Sequence, residues 1–246
     1  MGDIKTEVDY IFDKKMECPV CGKVFFTKQI RTGKVRFVGT DDILKPIYNN
    51  IDCTKYDVIM CPHCGYASGS RNYGHITPKQ RQSVRDNIES KFKANIPESE
   101  IYSYDAAIRR CKMAMLTEMV THGKISESAY LCLRLSWLYE GEIAELEQNA
   151  DADINKINKL KESEQEYIQS AYNGMKKALE TEYPPICGMD EKTINYLMAS
   201  LAVRCRNYDE AKQFAVAIIG SRTAPSSLKE KTRELIAQIK EEQKAQ

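Results

Sequence analysis

Cys18-Pro19-Val20-Cys21-Gly22 and Cys61-Pro62-His63-Cys64-Gly65 are the two stretches on which the reading of this chain turns. Each is a zinc knuckle by spacing and by flanking residues. Two cysteines three positions apart on a tight turn aim both sulfurs at one ion. Pro sets φ at the second position, and the Gly after the second Cys supplies the positive φ that turns backbone N–H groups toward the thiolates. A tetrahedral thiolate site needs four sulfurs, and two knuckles supply them. The expected metal ligands are therefore Cys18, Cys21, Cys61 and Cys64.

Four thiolates close the coordination shell and leave no place for a substrate, so a structural Zn2+ is the expected cofactor. Iron is the alternative in the same cage, because rubredoxin holds an electron-transfer iron with the same C-P-x-C-G pairs. Thioredoxin-like dithiol chemistry needs CxxC at a helix N-terminus in a βαβ setting, and that setting is absent. Cys53 precedes the second knuckle by eight residues and has no knuckle partner, so it reads as a packed or spare thiol. His63 lies inside a knuckle and points away when both flanking cysteines bind. His75, eleven residues beyond Cys64, also reads as a non-ligand.

The remaining composition fits a soluble protein of one large or two modest domains. The chain has 246 residues, 42% hydrophobic and 29% charged. Nine cysteines, an odd number with CxxC pairing, argue against a secreted disulfide framework and fit a reducing cytoplasm. The first residues lack the basic-then-apolar pattern of a secretion signal. Gly2 and Thr6 match a myristoylation pattern that is short enough to arise by chance. No apolar run is long enough to span a bilayer. Net charge is +1 but uneven: residues 1–92 carry 15 basic and 11 acidic side chains.

Around the knuckles the chain reads as β structure. Val24-Phe25-Phe26 leaves the first knuckle, Lys34 to Val38 alternates polar and apolar, and Tyr56 to Met60 leads into the second. Strand, knuckle, strands, knuckle is the plan of a zinc ribbon. The stretch from Gly39 to Lys55, around Leu44, Pro46, Ile47 and Tyr48, is expected to be an irregular loop or subdomain.

From Thr77-Pro78, an N-cap followed by Pro at the first helical position, the chain turns helical. Lys79 to Phe92 places Val84, Ile88 and Phe92 on one stripe and is ended by Pro97. Helices are expected over Tyr104–Val120 and Ser126–Tyr139, the latter with a broad apolar face that includes Trp137. Glu140 to Glu182 is long, charged and helical, with a narrow stripe that includes Ala150, and Asn149 to Asp153 reads as a turn or frayed stretch. Asp190–Arg204 and Asp209–Ile219 form a helical hairpin, and Ser227–Lys240 a last amphipathic helix.

This helical part resembles degenerate tetratricopeptide repeats. Asn207-Tyr208-Asp209-Glu210-Ala211 looks like the turn and start of a second repeat helix, with small Ala199 twelve positions earlier. Leu135-Ser136 and Tyr139, then Ala171, Met175 and Ala178, resemble another unit. Arg206 stands where the repeat has a turn Gly, and about 23 extra residues separate the helices of the earlier unit. A generic helical bundle is the alternative.

The knuckle sequences, the Arg31–Val38 strand, Tyr56-Asp57-Val58, Tyr66-Ala67 and the Leu133–Tyr139 helix resemble the bacterial family called domain of unknown function 2225. The resemblance implies a cytoplasmic bacterial protein with a metal-binding N-terminal part and tetratricopeptide-like helices, and no particular activity.

The expected architecture is α+β, mostly α: a zinc-ribbon-like β module over residues 1–76, then a helical repeat domain over 77–246. The expected function is a non-enzymatic protein-binding or scaffold protein, with a protein or peptide partner in a groove of the stacked helices. No Walker loop, G-x-G-x-x-G, H-E-x-x-H or G-x-S-x-G occurs, and three His leave little for a His-based triad. The alternative is nucleic-acid binding by a basic, aromatic ribbon face. Lys28, Arg31, Lys34, Arg36 and Phe37 are its candidate contacts, beside Phe25 and Phe26 and followed by Arg71, Lys79, Arg81 and Arg85.

Overall fold

Three antiparallel hairpins open the chain. The computed structural model describes residues 6–94, 99–149 and 151–244, so Gly2, Pro97 and Ala150 lie outside the described residues. β1 (Ile11–Glu17) pairs with β2 (Val24–Ile30), with Met16 opposite Phe25 and Glu17 opposite Val24. β3 (Phe37–Thr40) pairs with β4 (Pro46–Tyr48), and β5 (Val58–Met60) with β6 (Ala67–Gly69). Each hairpin is a separate two-stranded sheet. Such a ribbon is marginal alone and needs packing against another element or a metal clip.

The strand expected over Lys34–Val38 begins at Phe37, because Lys34 belongs to a turn in which its N–H bonds the Arg31 carbonyl. The stretch expected to be irregular contains β4 and a short 3-10 turn, Cys53–Tyr56, capped by Asp52. That turn takes up Tyr56, so the strand leading into the second knuckle starts at Val58.

Among the described residues seven α-helices follow: α1 (Pro78–Asn87), α2 (Tyr104–Thr121), α3 (Ile125–Glu147), α4 (Ile154–Ala178), α5 (Glu191–Arg204), α6 (Tyr208–Gly220) and α7 (Ser226–Lys244). Thr77 and Gln80 form a reciprocal capping box at α1, with Pro78 at its first turn, as its sequence predicts. α1 stops at Asn87, and Phe92 lies beyond it against the second knuckle. α3 runs through the expected break near Tyr139, since no residue there interrupts the helix. The chain turns instead at residues 148–153, and Asp153 caps α4 by accepting from the Asn155 and Lys156 N–H groups. Between α5 and α6, Arg206 adopts φ 58°, the left-handed conformation that a turn Gly supplies in the repeat.

Neighbouring helices pack in chain order, α3 on α4, α5 on α6 and α6 on α7. Their core holds Leu133, Trp137, Met175, Leu197, Leu201 and Ile239, and Ile43 reaches into it from the β3–β4 loop. Val58, Met60 and Ala67 of β5 and β6 share a second core with Cys111 and Ala114 of α2 and Leu131, Leu135 and Leu138 of α3. The β stretch is therefore built into the helical layer. Polar ties reinforce it. Arg204 donates to both carboxylate oxygens of Asp42 at 2.8 Å, Lys45 reaches Glu140 at 3.0 Å, and Lys231 reaches Thr40 Oγ1 at 3.1 Å.

The α3–α4 crossing depends on two small residues. A Cβ added at Gly174 would lie 2.9 Å from Ala129 Cβ, closer than carbon atoms tolerate. Gly174→Val is expected to destabilise the protein by about 1–3 kcal/mol through overpacking, while exposed Lys177→Ala on the same helix changes stability by about 0.5 kcal/mol or less. Urea unfolding midpoints check both.

Candidate metal centre

Both knuckles sit at hairpin tips. Cys18-Pro19-Val20-Cys21 links β1 to β2, and Cys61-Pro62-His63-Cys64 links β5 to β6. Their local bonds repeat. In the first, the Gly22 N–H reaches the Cys18 carbonyl at 2.9 Å and the Cys18 N–H reaches the Lys23 carbonyl at 3.0 Å. In the second, the Gly65 N–H reaches the Cys61 carbonyl at 3.0 Å and the Cys61 N–H reaches the Tyr66 carbonyl at 2.8 Å. Gly22 and Gly65 have φ of 71° and 75°. Gly65 is doubly constrained, because a Cβ there would lie 2.5 Å from the Phe92 ring.

The tips bring four sulfurs together, all within 4.8 Å of one another. Cys18 Sγ lies 3.6 Å from Cys64 Sγ, and Cys21 Sγ 3.7 Å from Cys61 Sγ. These separations are far beyond an S–S bond and close to the edge of about 3.8 Å that a Zn–S length near 2.3 Å gives a tetrahedron. Cys18, Cys61 and Cys64 are buried and Cys21 is half-buried. The donor set fits a thiophilic cation.

The electrostatics fit as well. Hydrogen bonds from Cys61 and then Cys64 pull the Cys18 thiol down to about 2. The Cys18 thiolate pushes Cys61 up to about 12 and Cys64 higher still. Without a cation the cluster favours the Cys18 thiolate and the protonated forms of Cys61 and Cys64. A cation takes the place of those protons and lets all four sulfurs ionise. Backbone N–H groups of Val20, Cys21, His63, Cys64 and Tyr66 lower the pKa of the sulfurs they face. Phe25, Ile59, Tyr66, Tyr73, Val84 and Ile88 form the surrounding core. Arg85 of α1 closes it by donating to the Val20 carbonyl at 2.6 Å.

The other candidates fall elsewhere. Cys53 is buried in a separate core with Tyr10, Ile11, Tyr56 and Tyr102, and burial pushes its thiol up to about 12. His63 is exposed, with Nε2 3.4 Å from the Val24 carbonyl oxygen, and His75 is exposed beyond β6. The basic and aromatic residues expected on one ribbon face are divided between hairpins. Phe25 belongs to the knuckle core, while Phe26 and Phe37 are exposed on β2 and β3, which are not paired. Lys28 pairs with Asp13 at 2.7 Å, and Arg31 Nε donates to the Ile11 carbonyl at 2.8 Å with its guanidinium over the Phe12 ring. Lys34 and Arg36 are exposed in the loop before Phe37, whose ring meets Tyr48 edge-on. Arg85 is engaged by the first knuckle.

Sequence reasoning missed a cleft of about 550 Å³ along the seam between β6 and α3. Arg71, Tyr130, Arg134 and Trp137 line it. The signal was present: Arg134 is the one charged residue in the mostly apolar run Leu131–Leu138.

One metal ion per chain is expected from elemental analysis of native protein. Cys64→Ser should lower that content well below one, whereas Cys53→Ser should leave it unchanged. Because protons compete for the sulfurs, a chelator should strip the ion faster as pH falls. Gly65→Ala should cost about 1–2 kcal/mol from the left-handed backbone alone, plus the displacement of Phe92, and thermal unfolding measures it.

No helix among the described residues is long and apolar enough to cross a membrane. A protein of Borreliella burgdorferi described as "Uncharacterized protein" is 26% identical over 95 residues, a match covering 35% of this chain and 34% of that protein. The matched stretch thus spans about a third of the length of that relative. No solved structure matches the chain. The family described as "Uncharacterized protein conserved in bacteria (DUF2225)" matches residues 11–239, from the first strand to the last helix and across both knuckles, and the chain belongs to that family.

Proposed function

We propose that this protein is a non-enzymatic binding protein of the bacterial cytoplasm, in which a structural Zn2+ fixes the ribbon against the helices and a protein partner docks along the seam. The observation that carries the reading is the position of the cleft. It opens between the hairpin that bears the second knuckle and helices α2 and α3. A second hollow of about 290 Å³ shares Ser68, Asn72, Glu118, Lys124 and Glu127 with it and continues toward His75 and Gln80. Together they make an elongated groove suited to an extended peptide segment.

A four-thiolate shell supports a structural metal, since all four positions are filled by protein. Zinc fits this role because it has no redox chemistry to control. The helix pairs α3–α4 and α5–α6 act as degenerate tetratricopeptide-like units. They set the wall of the groove, in place of the concave face that a regular array of such repeats offers.

Two measurements test the reading. Zinc is expected in the elemental analysis; a red protein with iron–thiolate absorption would favour electron transfer. A photo-crosslinking residue at Asn72 should join a discrete protein partner in cells, while one at exposed Lys159 on α4 should not. Equal crosslinking at both positions, or none, would overturn the partner reading, and nucleic acid recovered at Asn72 would favour the ribbon as a nucleic-acid module.

A further inference from the structure

We propose that the seam cleft contains an oxyanion subsite, formed by the guanidinium groups of Arg71 and Arg134, that receives a carboxylate or phosphate group of the bound ligand. The inference rests on the seam being the binding surface and adds the chemistry of one end of it.

Arg134 enters the cleft from α3 with only 15% of its side chain exposed. Its ion pair with Asp57 is 3.7 Å long, well beyond the 2.7–2.9 Å of a charge-assisted hydrogen bond. Its Nε–H is buried without a partner. The guanidinium lies 4.9 Å from the centre of the Tyr130 ring, so an aromatic side chain helps hold the charge in place. A guanidinium has five N–H donors, and one distant carboxylate does not satisfy them.

Arg71 lines the same cleft from the turn after β6, is exposed, and forms no ion pair among the described residues. A Cβ placed on Gly188, another residue of the lining, would lie 3.7 Å from Arg71 Nη1, so the guanidinium reaches that part of the wall. Both arginines act on Asp57, opposing the rise in pKa that burial imposes on it. Two guanidiniums and one carboxylate thus share this part of the lining and leave a surplus of positive charge. Ser68 and Ser70 add hydroxyl donors along β6 and the turn.

The far end has the opposite character. Glu118 and Glu127 face Lys124 there, and burial followed by the Glu127 charge raises the Glu118 pKa. Summed over its ionisable lining, the cleft is neutral but polarised. It favours a ligand with its oxyanion at the arginines and a neutral or cationic remainder toward the glutamates. Guanidinium binds carboxylate and phosphate by the same paired N–H geometry, so those two groups are the ligand chemistries to separate.

The chain has one tryptophan, Trp137, and it lies in the wall of this cleft. Emission excited at 295 nm therefore comes from this one residue of the cleft wall. Native protein is titrated separately with sodium phosphate and sodium acetate up to about 10 mM, with sodium chloride at matched ionic strength as control. A saturable change with phosphate or acetate, absent with chloride, is expected. A response to phosphate alone assigns a phosphoryl group, and a response to acetate alone a carboxylate. Arg71→Gln, an exposed position that leaves the fold intact by circular dichroism, should weaken the apparent affinity about tenfold. Arg134→Gln should abolish it. No saturable change with either anion, or a response undiminished in Arg71→Gln, overturns the subsite. Loss of the Asn72 crosslink would instead remove the partner reading, so the two failures are distinguishable.

Discussion

Four sulfurs within 4.8 Å of one another are the constraint to which the rest of the structure answers. Thiols this close, too far apart for a disulfide and largely shielded from water, repel once more than one ionises. A thiophilic cation bound there would turn that liability into a cross-link between two hairpin tips whose nearest cysteines are 40 residues apart in sequence. Closing such a loop costs entropy that two-stranded sheets cannot recover by themselves. Three features converge on the site: paired left-handed glycines, Arg85 reaching back from α1 to the Val20 carbonyl, and the Tyr66–Tyr73 pair packed against the cluster.

The site was legible because its chemistry is local. Each knuckle encodes its own turn, and the ligand count then forces the two together. The helical half was legible for a related reason. The Thr77-Pro78 cap and the broad apolar face of Ser126–Tyr139 act within a few residues. Several of the misses are non-local. β1 is exposed along most of its length and carries no apolar alternation, so only its pairing with β2 defines it. β4 is short, begins with Pro46 and exists because β3 lies beside it. α3 continues past Tyr139 and through Gly141, which sits where the Tyr104 ring packs. A Cβ at Gly141 would come within 2.4 Å of that ring, so the glycine serves packing and not termination.

The aromatic and basic residues of the ribbon teach the same lesson from the other side. In sequence they cluster, and a single broad sheet would array them on one face. The strands pair as separate ribbons, so Phe25 turns into the knuckle core while Phe37 meets Tyr48. Composition counts charges and rings, but strand pairing decides whether they share a surface. Two of the basic side chains are also occupied, Lys28 by Asp13 and Arg31 by the Ile11 carbonyl.

The metal centre and the seam cleft are joined by one short hairpin. Cys61 and Cys64 cap it at the tip, its apolar side packs on α2 and α3, and Ser68 to Asn72 at its base form a wall of the cleft. Asp57, at the other base of the hairpin, carries the cross-seam ion pair to Arg134 and accepts the Ser70 N–H at 2.8 Å through its carbonyl. A partly buried ion pair of that length adds little to stability, because desolvation offsets its attraction. What it contributes is registry between hairpin and helix. Three residues of strand separate Asp57 from Cys61, so holding the thiolate tip in place also fixes the carboxylate against Arg134. A cation held by the four sulfurs would act at a distance on the cleft without touching it, by denying the hairpin the freedom to slide along α3.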